Sequence, residues 1–234
     1  YWHGEVLKEI KKPEDKRREL EYFYRLPRVE SETNIGILSA FGRLKDSVAQ
    51  KLCEDMDVST AIHWCFDEGD GSPSYELKLL GAMSAVKAGL EDTVRDLLLD
   101  AFLSDPIKME ILSALAEKNE EGEYGIVVCN IFKRVTMVPL KLGKKKKPLF
   151  LRAYGMAFSR FAMLAKEYSF MLAAAAEKLY ASLESRSMLD KCRSESVLAA
   201  AIIKFSEIDE SGLTFKQICD FFGAREDKVN ALLD

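Results

Sequence analysis

The sequence predicts a mainly all-α protein, with a helical N-terminal region that includes either one short β-hairpin or a further helix, and a C-terminal bundle of five helices. Three observations lead there. Apolar residues recur at three- and four-residue steps over most of the chain. Helix start and stop signals divide these runs into short pieces. β-Branched residues concentrate in one stretch only, residues 123–140.

Residues 5–25, "EVLKEIKKPEDKRRELEYFYR", are densely charged and broken by Pro13, and Pro27 is expected to close the segment. Residues 34–54 place Ile35, Leu38, Phe41, Leu44 and Val48 on one helical face. "VSTAIHWCF" reads as a short helix, and the loop "DEGDGSPS" after it is rich in turn formers. "YELKLLGAMSAVKAG" ends at Gly89, a natural C-terminal cap. "LEDTVRDLLLDAFL" follows, then "SDPIKMEILSALAEK", where Asp105 is placed to cap and Pro106 to take the first helical position. These three helices resemble the stacked pairs of HEAT-type helical-repeat proteins, although no fixed-period self-similarity accompanies them.

"EYGIVVCNIFKRVTMVPL" changes character. Ile126, Val127, Val128, Ile131, Val135 and Val138 favour a strand or hairpin, while a helix over residues 125–135 fits the same apolar run. "KLGKKKKP" then supplies glycine, four lysines and proline. It marks a basic linker, residues 144–148, between a helical region (1–143) and a bundle (149–234). Five helices are expected in that bundle, at roughly 149–167, 170–186, 192–206, 214–222 and 225–233. "DESG" is one of the turns, and its Gly212 tolerates a positive φ.

The net charge of −4 comes from 34 basic and 38 acidic residues, so any attraction to nucleic acid or to an anionic membrane must be local. Residues 148–234 hold 11 of the basic and 12 of the acidic residues, and neither part is a polybasic arm. No apolar run approaches the ~18 residues of a membrane span. Five widely spaced cysteines predict reduced, buried thiols of an intracellular protein, cytoplasmic or nuclear, over a secreted disulfide framework.

Signals of chemistry are sparse. His3 and His63 are the only histidines, and neither a glycine-rich phosphate loop nor a nucleophile elbow is present. Enzyme activity is the least favoured class, and no cofactor is implied. Cys53, His63, Cys65 and Asp67 include metal-ligand types, but without a Cys-x-x-Cys pair they read as buried thiols and a helix-face histidine. Glu207, Asp209 and Ser211 begin a calcium-loop spacing that fails at Ile218, where a bidentate glutamate is required.

Three pieces of the C-terminal third carry a resemblance: "RAYGMAFSRFAMLAKEY", "RSESVLAAAIIKF" and "LTFKQICDFFGAREDKVNALL". Their order and content resemble one cyclin-type repeat of the transcription factor IIB family and its archaeal counterparts, so the resemblance implies a cyclin-like five-helix bundle. The middle helix opens on Arg193-Ser194-Glu195-Ser196, where that family has a basic-Ser-x-Glu/Pro cap, and continues through Ala199, Ala200 and Ala201, small enough for close packing on all sides. The last piece has a helix-turn-helix pattern. Ile218, Cys219 and Phe222 precede Gly223, and Ala224, Val229 and Leu232 follow it.

The resemblance implies a role in a transcription or other nucleic-acid-associated assembly. Residues for nucleic-acid contact are Lys144, Lys145, Lys146 and Lys147 in the linker, with Arg193, Lys216, Arg225, Lys228 and Asn230 in the bundle. Glu226 and Asp227 oppose base reading, because carboxylates in the first turn would approach phosphates and acceptor-rich base edges. The favoured reading is therefore a non-enzymatic adaptor or regulator that binds protein partners, with direct DNA binding through the helix-turn-helix as the alternative. An adaptor predicts an exposed apolar patch on the helices of residues 76–117.

Overall fold

A computed structural model describes residues 22–53, 57–67, 73–142, 147–206, 208 and 212–234. The first helix, α1 (Tyr22–Gly42), does not break at Pro27 as its sequence predicts. Proline there removes one backbone bond close to the helix start, and burial of Leu38 and Phe41 holds the remainder. The helix ends instead at Gly42, whose carbonyl accepts from Lys87 Nζ at 2.7 Å. The chain restarts as α2 (Asp46–Leu52), and this interruption rephases the apolar face. Ile35 and Val48, expected inside, are 42% and 40% exposed, while Asn34 and Ala49 are buried.

Next come α3 (Val58–Trp64) and α4 (Tyr75–Ala88), the latter capped by the Ser74 hydroxyl and ended by Gly89 at φ 75°. Helix α5 (Glu91–Leu99) stops short of its predicted end. The Asp100 carboxylate accepts from the Phe102 N–H at 2.8 Å, and this local turn competes with another helical turn. In α6 (Asp105–Lys118) the N-cap is Ser104. Asp105, expected to cap, accepts from the Cys129 N–H at 3.0 Å and so ties the helix start to the hairpin turn.

The stretch that fitted strand or helix is a hairpin, β1 (Gly122–Val128) paired antiparallel with β2 (Ile131–Met137). Cys129 and Asn130 both have positive φ, 52° and 60°, the two-residue turn whose twist matches a hairpin. Beyond the linker lie α7 (Pro148–Phe161), α8 (Tyr168–Ser185), α9 (Glu195–Phe205), α10 (Phe215–Phe222) and α11 (Glu226–Leu233). One apolar core reaches from Leu38 to Leu232 without interruption at the linker. Helices α6 and α7, on either side of that linker, share the most extensive helix–helix packing among the described residues.

Cys53, Cys65 and Cys219 are buried, Cys192 is half-buried and Cys129 is exposed, so only part of the expected thiol burial holds. Burial pushes the Cys65 thiol up to about 11. With a thiol-reactive disulfide reagent at neutral pH, the exposed Cys129 is expected to react before Cys65 and Cys219, which react only on unfolding. The hydrogen bond of Cys129 to Asp105 slows it relative to a free thiol. Mass mapping that finds Cys65 modified as fast as Cys129 would overturn this account of the core.

Candidate functional site

The helix-turn-helix residues fold into a two-helix corner. Thr214 and Gln217 form a reciprocal cap on α10, with the Thr214 hydroxyl accepting from the Gln217 N–H at 3.3 Å and the Gln217 side chain accepting from the Thr214 N–H at 2.8 Å. Gly223 ends α10 at φ 66°, the left-handed conformation its position requires. Ile218, Cys219, Phe222, Val229 and Leu232 all turn inward against α9. Ala199, Ala200 and Ala201 are fully buried there, and their small side chains let the neighbouring helices approach.

Where α11 passes the start of α9, the corner leaves a cleft of about 520 Å³. Val197, Ala224 and Leu232 contribute apolar surface, and Lys191, Arg193, Arg225 and Lys228 supply four cations. Among the described residues no carboxylate lines it. Four acids adjoin lining residues in sequence; Asp190 binds Lys147, and Glu226 is exposed on α11. Glu195 meets Arg152 at 2.5 Å, and Asp227 accepts two hydrogen bonds from Arg225, at 3.0 and 2.7 Å. Those bonds hold the Asp227 carboxyl below its usual range and draw off part of the Arg225 charge. Lys191, Arg193 and Lys228 therefore dominate the rim.

Of the residues expected to contact nucleic acid, Arg193, Arg225 and Lys228 converge on this cleft. Lys147 lies by the same loop, but Asp190 binds its ammonium at 2.5 Å. Lys216 and Asn230 are exposed on α10 and α11 without lining the cleft. Lys144, Lys145 and Lys146 lie outside the described residues, as do Glu207, Asp209 and Ser211. Sequence reasoning missed Lys191. Its signal was local, because Lys191 and Arg193 flank Cys192 in the turn just before the Ser194 cap.

His63 is exposed on α3 while Cys65 is buried, and among the described residues no three His, Cys, Asp or Glu side chains gather as metal ligands. Among the same residues no helix is long and apolar enough to cross a membrane. No protein-family model, curated protein or solved structure gives a significant match to the chain.

Proposed function

We propose that the protein is a non-enzymatic adaptor or regulator whose basic cleft receives an acidic segment of a protein partner, in a transcription or other nucleic-acid-associated assembly. One observation carries the reading: four cations surround an apolar recess that no carboxylate lines among the described residues. A short segment with acids on either side of an apolar residue matches both properties. The apolar residue leaves water in the recess, while the charges speed encounter and fix orientation. The assembly in question rests on the resemblance of the C-terminal third to the transcription factor IIB family.

Direct DNA binding has its own support in Arg225, Lys228 and Asn230, exposed on and beside the second helix of the corner. Glu226 and Asp227 share that exposed turn, and Arg225 is engaged by Asp227, so the outward face is mixed in charge.

Fluorescence anisotropy on the full chain at low salt separates the two, using an acidic peptide with a central leucine and a mixed-sequence DNA duplex as probes. The peptide is expected to bind, and Lys191→Glu combined with Lys228→Glu to weaken it by roughly tenfold or more, because each reversal replaces attraction with repulsion. Absence of peptide binding defeats the adaptor reading. Duplex binding that the same substitutions abolish would put the DNA reading in its place.

A further inference from the structure

Leu99 and Phe102, 44% and 91% exposed, are what residues 76–117 offer as the apolar patch expected of an adaptor. The basic cleft offers charge as well, and charge restricts the ligand. Lys191, Arg193 and Lys228 make no ion pair or side-chain hydrogen bond among the described residues. Arg225 gives Nε and Nη2 to Asp227 and keeps Nη1 for a ligand. Ser194 lines the same cleft, and its oxygen accepts from the Val197 N–H at 3.3 Å, which leaves the hydroxyl proton to donate. Uncommitted donors thus surround a positive surplus.

Charge and apolar surface lie at different depths. Lys191, Arg193, Arg225 and Lys228 are exposed, whereas Leu232 is buried and Val197 and Ala224 are half-buried. The cations stand on the rim and the floor is apolar.

Ordinary acidic residues answer such a surplus only with several carboxylates, each carrying one charge and each with its own side chain to order. A phosphoryl group puts about −1.5 to −2 charges and three acceptor oxygens on one side chain at neutral pH. The planar Arg193 fork can meet two of those oxygens at once, and the lysines act as point charges. Phosphoserine and phosphothreonine are short enough to keep the phosphate on the rim while an adjacent apolar side chain enters the recess. A phosphotyrosine ring filling the recess would carry its phosphate to the apolar floor instead.

We propose that the cleft takes the phosphate of a phosphorylated serine or threonine in the partner's segment, with an apolar neighbour of that residue in the recess. The inference rests on the adaptor reading and makes attachment depend on phosphorylation of the partner.

Fluorescence anisotropy on the full chain compares three versions of the acidic peptide, with serine, aspartate or phosphoserine beside its central leucine. At neutral pH the phosphoserine peptide is expected to bind roughly tenfold or more tighter than the aspartate peptide, because its extra charge and third oxygen meet uncommitted cations. Lowering the pH to about 5, below the second phosphate pKa of about 6, should remove much of that preference, since aspartate stays ionised there. Arg193→Gln should reduce the preference severalfold, and Lys228→Gln provides the same test should the first variant fail to fold. Equal binding of the aspartate and phosphoserine peptides would overturn the phosphate inference and leave the adaptor reading standing, whereas binding of no version defeats both. Inorganic phosphate that displaces the phosphoserine peptide at equal concentration would make the ligand a free anion, and a DNA duplex that does so would make it a phosphodiester. Either result overturns the proposal.

Discussion

Replacing Gly155 with alanine should lower the stability of the whole protein, although alanine is the better helix former. Gly155 lies in α7 where it crosses α6, and a Cβ added there would fall 2.4 Å from the Ser113 carbonyl oxygen and 2.9 Å from its hydroxyl. The nearest obstacle is backbone, which cannot rotate away. The helices must separate, and overpacking of this kind costs about 1–3 kcal/mol. Helix propensity returns at most about 1 kcal/mol, so the net is destabilising, and Gly155→Leu is worse. A chain of this size loses roughly 2–4 °C of Tm per kcal/mol, readable by circular dichroism. Gly36 is the control. It lies in α1 with nothing within 4 Å of an added Cβ, and Gly36→Ala should gain up to about 1 kcal/mol. If Gly155→Ala melts at or above the wild-type temperature, α6 and α7 are not held at the distance described.

The same crossing shows which features the sequence made legible. Local signals were accurate where one residue decides one conformation: Gly89 and Gly223 end helices with positive φ, and Ser194 caps α9. The buried alanines of α9 and the inward residues of the corner followed from periodicity, because packing between helices reads the same faces. Long-range contacts carry no such mark. Nothing in residues 105–118 announces that Ser113 meets Gly155 across the basic linker, or that Asp105 leaves its helix start to bind Cys129. The break of the first helix at Gly42 was hidden for a similar reason, since its carbonyl is satisfied by Lys87 from a distant helix. The cleft was half visible. Its cations stood in the sequence, but their convergence depends on how α11 passes the start of α9.

Lys108→Ala is the second large effect expected. The side chain is only 1% exposed and reaches past α6 to the Val127 carbonyl at 2.6 Å. Truncation leaves a cavity and strips an outward β1 carbonyl of its donor, so a loss of about 2–4 kcal/mol is expected from the two effects together. Lys108→Met keeps most of the volume and should lose about 1–2 kcal/mol at neutral pH, from the unpaired carbonyl alone. The pair of variants separates packing from hydrogen bonding, and equal losses for alanine and methionine would assign the whole effect to the bond. Titration adds an independent test. Burial lowers the Lys108 pKa from its usual 10.5, and the charges of Asp105 and Asp100 oppose that shift. A lowered lysine pKa means that the unfolded chain binds the proton more tightly, so the charge is a native-state penalty below the folded pKa. That penalty disappears as pH rises from the folded value towards 10.5, and the wild type gains stability there. Buried tyrosine and cysteine groups also titrate in this range, but they do so in both proteins. The stability of the wild type minus that of Lys108→Met, from urea melts at successive pH values, therefore isolates this lysine and should climb as pH approaches 10.5. A flat difference would show that the partners of Lys108 offset the effect of burial, and a falling one that they outweigh it; either overturns the expected lowering of this pKa.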